Sequence, residues 1–372
     1  MVRTLAHIER VVSLSPIEKA DKIEVVTVLG WHCVTKKGEV AVGDLVVYFE
    51  IDSFLPIEPR FEFLRQSSFK KMDIDDGNGN LTIIEGFRLK TIKLRGQISQ
   101  GLVLSLHEFP EFDNDVKEGD DLTGALGVRL YEPPVPSNMR GAIKGGFPHA
   151  IQKTDQERIQ NHPEYFEKYR DVEFEATEKV DGTSTTVFVD DTDELNVCSR
   201  NLNLKENDTI YWVAIKKTEL RGFLIASGKR YAVQLELAGE GINKNPLGIK
   251  GQRLFIFNIW DIEGQRFLTH DERMSLLAKH FGGDSPVLAH VPFVAESIKP
   301  FSKFKSMDDL IAFAGGPSMV NPSRRREGIV FKSNVLIDGQ VLSFKIIDNQ
   351  QLLKSESEKQ DIHDGNEEHR MT

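Results

Sequence analysis

Short apolar runs that alternate with polar positions, broken by turn signals, fill the first hundred residues. Residues 23–30 and 45–51 alternate as strands, with the turn signal Gly43-Asp44 ahead of the second. Residues 91–95 and 101–106 read the same way on either side of Gly96. Several short strands at this spacing predict a small barrel or sandwich. The polar stretch 69–81, rich in Asp, Gly, Asn and Lys, reads as a loop of that unit.

The pattern changes at Tyr131. Pro133, Pro134 and Pro136 stiffen the chain and cannot donate to a ladder, so residues 131–137 read as a linker. Beyond it, helix-like spacing at 154–160, 163–169 and 271–281 mixes irregularly with strand-like runs at 231–237, 254–259, 328–332 and 341–347. That mixture predicts an α+β fold with largely antiparallel sheets. The last stretch, 354–372, holds six acids against three bases and almost no apolar residue, and is expected to be disordered. The expected boundaries are therefore 1–130 for the barrel, 131–137 for the linker, 138–353 for the second domain and 354–372 for the tail.

Charge narrows the functional classes. With 47 basic and 57 acidic residues the net charge is −10, which excludes a uniformly basic nucleic-acid binder. Three local windows run against that sign, at 88–95, 216–221 and 324–326; each is either solvated surface charge or a nucleic-acid contact. No run of about 18 apolar residues occurs, so no membrane partner is expected. The N-terminus, with Arg3, His7, Glu9 and Arg10, has no apolar run of a secretory signal. Cys33 and Cys198 are too few and too far apart for a disulfide framework or a zinc site. The cytoplasm or another reducing compartment is the expected location.

The candidate chemistry lies in Glu178-Lys179-Val-Asp181-Gly182-Thr-Ser184. Lys-x-Asp-Gly alone is weak evidence, since chance supplies it in roughly one of ten chains this long. An ordered set downstream raises its weight: Ser199-Arg200, Gln234-Leu-Glu236-Leu-Ala-Gly239, Phe255-Ile-Phe257, Glu327-Gly-Ile-Val-Phe-Lys332 and Ser343-Phe-Lys345. In this order the set resembles the covalent nucleotidyltransferases, the superfamily of ATP-dependent ligases and mRNA capping enzymes. Gln234-Leu-Glu-Leu-Ala-Gly-Glu-Gly-Ile242, and Ser343-Phe-Lys-Ile-Ile followed by Leu352-Leu-Lys354, are in the RNA-ligase style. An OB-like domain ahead of the transferase domain is similar to the RNA-ligase family typified by the amoeboflagellate enzyme. The runs Ala20-Asp-Lys-Ile-Glu and Ile98-Ser-Gln-Gly-Leu resemble OB barrels as well.

The resemblance implies an ATP-dependent RNA ligase that uses Mg²⁺ or Mn²⁺ and joins RNA 3′-OH and 5′-phosphate ends, with a nicked duplex the expected substrate; it leaves the oligomeric state open. Lys179 would be the nucleophile. Asp181, Glu327 and, through water, Glu236 would hold the metal. Lys332 and Lys345 would meet the α-phosphate, and Arg200 the ribose–phosphate side. Glu178, Gly182 and Ser184 would lie at the nucleotide, and Glu236 would also accept from the ribose hydroxyls. Phe257 is either an adenine stack or core, and Arg158 either a pyrophosphate contact or a helix-surface arginine. The chain departs from some relatives at Ser343, where they carry lysine, and at Ser184, where they carry asparagine. DNA ligases and mRNA guanylyltransferases would use the same set but place the OB domain after it; only 27 residues follow Lys345. They, and an RNA-binding protein with a silent transferase domain, are the competing expectations. Residues 1–110 are expected to serve the RNA rather than the nucleotide pocket.

Overall fold

The computed structural model describes residues 3–75, 81–112, 116–132, 141–282 and 285–353. Residues 133–137 of the expected linker and the tail 354–372 lie outside the described residues. The chain divides into two compact units. One comprises residues up to 135 together with Gln160–Pro163; the other comprises 136–159 and 164–351.

In the first unit the strands are β1 (Ala6–Pro16), β2 (Ile23–Val28), β3 (Trp31–Lys36), β4 (Leu45–Phe49), β5 (Ser53–Leu55) and β6 (Phe69–Asp75). They continue with β7 (Leu81–Arg88), β8 (Thr91–Leu94), β9 (Gln97–Gln100), β10 (Leu102–Ser105) and β11 (Arg129–Leu130). A five-stranded sheet runs β10-β4-β1-β2-β3, and a second sheet runs β11-β5-β7-β6. β1 is long because it serves two partners, β4 with its first half and β2 with its second, and a bulge between Val11 and Ser13 bends it between them. Ala6 and Ile8 thereby enter one core with Phe49, Leu55 and Phe87, while Val11 enters another with Trp31, Cys33 and Tyr48. β3 reaches β9, where the Cys33 thiol donates to the Gln100 carbonyl at 3.1 Å and the Val34 amide to Ser99 Oγ at 3.0 Å. This is the small barrel that the alternation predicts, of the OB-like kind that the resemblance implies.

Two expectations are corrected here. Residues 69–75, read as part of a loop, form a strand instead: β6 and β7 make an antiparallel ribbon in which Lys71 faces Glu85 at 2.9 Å, and residues 76–80 lie outside the described residues. The strand read over 91–95 stops at Leu94, and the basic window 88–95 runs from the end of β7 through β8. Arg88 ends β7 and pairs with Asp52 at 2.9 Å, Lys93 belongs to β8, and Arg95 turns the chain into β9 with φ of 49°.

The second unit contains β12 (Ile143–Gly146), β13 (Glu157–Arg158), β14 (Phe174–Lys179), β15 (Thr183–Val189), β16 (Leu195–Cys198) and β17 (Leu202–Leu204). Then follow β18 (Tyr231–Gly239), β19 (Gln252–Asp261), β20 (Arg266–Phe267), β21 (Leu288–His290), β22 (Phe293–Ile298), β23 (Gly328–Ile337) and β24 (Gln340–Ile347). One sheet runs β12-β17-β16-β15-β18-β19-β20 with β21 on β19, and the other runs β13-β24-β23-β14-β22. The pairs are antiparallel except β13–β24 and β19–β21. Aromatic residues fill the core of the second sheet, with Phe174, Phe301, Phe331 and Phe344 all buried. The helix expected near 271–281 is His270–His280, started by a capping box between Thr269 and Glu272.

The segment 154–160 is not the helix expected; only a short 3-10 turn, Ile159–Asn161, follows its strand residues. Glu157 and Arg158 add to the edge of β24, opposite Phe344 and Lys345, and Arg158 is buried rather than on a helix surface. Helix-forming residue types lose here to an open sheet edge. Both cysteines are free and buried. Among the described residues, no helix is long and apolar enough to cross a membrane.

Candidate active site

β14 delivers Lys179 at its C-terminal end, opposite Gly328 at the start of β23, so Glu327 arrives beside it. Lys179 Nζ donates to Glu327 Oε2 at 2.7 Å, and the lysine side chain is 29% exposed, open enough for a reagent to reach it. Burial opposes the ammonium, but Glu327, Glu236 and Asp181 outweigh it and hold Lys179 above its ordinary range. Glu236, on β18, is pushed up to about 8. Burial is the main cause; Lys179 and Arg200 pull the other way, while Glu327 and Asp181 add to the rise. Asp181 follows β14 in the turn to β15, where Ser184 lies opposite Glu236.

Two glycines permit this convergence. A Cβ on Gly182 would stand 2.4 Å from the Leu237 carbonyl and 3.0 Å from Glu236 Cγ. The missing side chain thus clears β18 and the base of Glu236. A Cβ on Gly328 would stand 2.1 Å from the Ile346 carbonyl, so only glycine lets β23 reach β24 right after Glu327.

Arg200, just past β16, is exposed and lies 3.4 Å from Asp155; Lys345, on β24, lies 3.3 Å from the same carboxylate. Asp155 therefore gathers the two cations expected at the phosphate side. Arg158 is one strand over, opposite Lys345. Phe257 is half-buried beside the apolar wall of Val180, Ala238, Leu247, Phe255 and Val291.

Two expected nucleotide contacts are engaged elsewhere. Glu178 is buried and accepts from Ser318 Oγ and the Met319 amide, each at 2.5 Å, which fixes the 318–319 turn. Lys332 is buried, donates to the Phe257 carbonyl, and lies 3.4 Å from Glu175. Burial lowers its pKa to about 8, against the pull of Glu175. Glu175 in turn accepts from Arg273 at 2.5 Å and faces His270 at 2.8 Å, so a buried ion cluster surrounds Lys332. The window 324–326 is likewise mostly structural. Arg326 donates to the carbonyls of Phe313, Ala314 and Gly315, and Arg325 pairs with Asp348. Asp155, Glu175, Arg273 and Asn243, whose amide contacts Asp181, carried no sequence signal that separated them from ordinary surface or core polar residues.

Among the described residues, no three His, Cys, Asp or Glu side chains are spaced to hold a bare ion. Asp181, Glu236 and Glu327 are, however, close enough to shift Lys179 together. Asp181 and Glu327 against the Lys179 ammonium leave a formal charge of −1, and Glu236, held largely neutral by burial, would add a third negative charge on ionising beside a cation, a donor set that fits a hydrated divalent ion.

The two-sheet second unit and this constellation define a nucleotidyltransferase that follows an OB-like barrel. A family model described as an OB-fold domain matches residues 5–106, and one described as RNA ligase matches residues 172–347. Among solved structures, the chain is similar to a variant of the Naegleria gruberi RNA ligase with AMP and Mn. The identity is 39%, over 95% of this chain and 99% of that one, with a TM-score of 0.81. It is equally similar to that ligase with PPi, at 39% identity over 96% and 100% with a TM-score of 0.81. A variant with ATP and Mn gives 39% over 94% and 98% with a TM-score of 0.80. No curated protein sequence matches. The chain belongs to the RNA ligase family and is an enzyme of that class.

Proposed function

We propose that this protein is an ATP- and divalent-metal-dependent RNA ligase that joins 3′-OH and 5′-phosphate RNA ends at nicks in a duplex. The observation that carries the reading is Lys179 Nζ set among Glu327, Glu236 and Asp181. In the first step the Nζ lone pair attacks the α-phosphorus of ATP, the bond to the bridging oxygen breaks, and pyrophosphate leaves. AMP then passes from Lys179 to the RNA 5′-phosphate. In the last step the RNA 3′-oxygen attacks that phosphate, and AMP is released.

Lys179 must be neutral to attack, and a free lysine at pH near 7.5 is neutral only about one part in a thousand, a cost of roughly 4 kcal/mol. The three carboxylates that hold its proton are also the groups that would hold a divalent ion. Such an ion, Mg²⁺ or Mn²⁺, supplies positive charge beside Nζ and at the α-phosphate. With Asp181, Glu236 and Glu327 holding such an ion, Lys179 would lose its counter-charges and its neutral, nucleophilic form would be favoured. Lys345 and Arg200 would exchange Asp155 for phosphate, and Arg158, beside Lys345, would serve the pyrophosphate end. Phe257 offers a ring edge of the apolar wall to adenine, with Glu236 and Ser184 on the ribose side. Lys332 supports this arrangement by holding the backbone of Phe257.

Incubation with α-phosphate-labelled ATP and Mn²⁺ tests the reading. The wild-type protein is expected to become labelled and Lys179→Ala to remain unlabelled, while Lys179→Ala still seals RNA that is already adenylated. A labelled Lys179→Ala protein would refute the nucleophile assignment. Matched nicks with RNA or DNA on each side of the break separate RNA from DNA joining.

A further inference from the structure

Asp181 is held from outside its own turn. The Asn243 side-chain amide donates to Asp181 Oδ1 at 3.0 Å and to the Gly182 carbonyl at 2.7 Å. Both partners are acceptors, so the amide nitrogen must face them. One short side chain thus clasps the carboxylate two residues after Lys179 and the backbone of the residue that follows.

Asn243 lies in the connection from β18, which carries Glu236, to β19, which carries Phe257. Its backbone is unusual: Asn243, Lys244 and Asn245 have φ of 45°, 59° and 50° in succession. Non-glycine residues avoid the left-handed region because Cβ crowds the following carbonyl, so three in a row persist only where the surroundings dictate them. Here they do. Ile242 and Leu247 are buried on either side of the turn. Asn245 Nδ2 donates to the Ile249 carbonyl at 2.8 Å, and its Oδ1 accepts from the Ile249 amide at 2.9 Å. Asn321 Nδ2 holds the Leu247 carbonyl at 2.8 Å. The loop is anchored by its buried apolar side chains, and from it the exposed Asn243 reaches the nucleophile's turn.

We propose that Asn243 is a positioning residue that orients the Asp181 carboxylate toward the divalent ion it shares with Glu236 and Glu327, and so sets the metal requirement of lysine adenylation. The proposal rests on the function given above. A neutral donor suits the task. Lysine or arginine at this place would cancel the carboxylate's charge, whereas an amide fixes its direction and leaves the charge for a cation.

The test separates the amide from the strained backbone. Asn243→Gly removes the amide but accepts a positive φ freely; Asn243→Ala removes the amide and keeps the strain. Mn²⁺ uptake by the full-length protein, with a non-hydrolysable α,β-methylene ATP present, is read from the loss of the free-ion EPR signal. Both variants are expected to need about tenfold more Mn²⁺ for half-saturation. Adenylation of Lys179 should recover at saturating Mn²⁺, and the melting temperature of Asn243→Gly should stay at the wild-type value. Wild-type Mn²⁺ affinity in Asn243→Gly overturns the proposal, including the case where only Asn243→Ala is impaired, because the backbone alone then accounts for the effect. If the wild-type protein itself takes up no Mn²⁺, the metal reading fails and the proposal falls with it.

Discussion

Burial alone would strip His7 of its proton, yet Glu50 and Glu9 reverse that and raise its pKa to about 9. Its Nδ1 lies 2.6 Å from Glu9 and its Nε2 3.6 Å from Glu50, the Tyr48 ring stands edge-on at 5.2 Å, and Arg3 shares Glu50 at 2.5 Å. The folded-state pKa exceeds the unfolded value of 6.5, so the charged histidine stabilises the fold fully below pH 6.5. That contribution is lost as pH rises through 9, and it is on the order of 3 kcal/mol. Urea unfolding of wild type and His7→Gln at pH 6 and pH 9.5 checks this: the stability gap should narrow by about that amount at the higher pH. An unchanged gap refutes the ion pair. The same dependence on neighbours explains which site residues were legible in the sequence. Lys179, Asp181, Glu236 and Glu327 sit in motifs whose ordered set resembles a known family, and it is that resemblance, not their spacing, that implies they converge. Lys332 belongs to the same set, but its fate follows from standing opposite Glu175 in the β14–β23 register, and register is invisible in one strand's residues.

Strands with clear alternation or continuous apolar runs, such as β4, β18, β19 and β24, were readable within a few residues. Elements made by pairing rather than by pattern were not. β6 and β7 carry polar ladder positions because much of the ribbon faces water, and β13 exists only because β24 offers an edge. Glycine positions show the same limit: Gly328 looks like part of a motif, but its necessity comes from the Ile346 carbonyl 2.1 Å from where a Cβ would be. Gly328→Ala should therefore push β23 off β24 beside Glu327. We expect a loss of about 2 kcal/mol in stability, by analogy with overpacked cores, together with weaker labelling of Lys179. Gly145→Ala, in β12 with nothing within 4 Å of the added carbon, is the control and should stay within about 0.5 kcal/mol of wild type. Equal melting temperatures and equal labelling for the two variants would show that the contact is relieved without cost.

At the scale of the whole chain, the order of an OB-like barrel before a nucleotidyltransferase domain was legible because the two parts differ in pattern and only one carries the motifs. The path between them was not. Residues 160–163 come after the start of the second unit yet fold with the first, where the Gly30 amide donates to the Gln160 carbonyl at 2.8 Å. Asn161 accepts from Trp31 Nε1 at 2.5 Å and donates to Glu50 at 2.7 Å. No periodicity marks such a return, because three hydrogen bonds to loop and strand-end residues leave no apolar signature. That return offers a test of the expectation that residues 1–110 serve the RNA rather than the nucleotide pocket. Gln160 follows Arg158 by two positions, and Arg158 is the residue that β13 sets opposite Lys345. A chain that begins near Ser137 keeps residues 160–163 but has lost Gly30, Trp31 and Glu50, so the end of β13 is released and the buried Arg158 loses its support. Lysine adenylation by that truncated protein should fall at least tenfold, with a larger drop at limiting ATP than at saturating ATP. The narrower change Asn161→Ala, in the full-length chain, should move adenylation in the same direction by a smaller factor. If the truncated protein labels Lys179 as fast as the full chain at every ATP concentration, the first unit has no part in building the nucleotide site, and its hold on residues 160–163 is only a matter of folding.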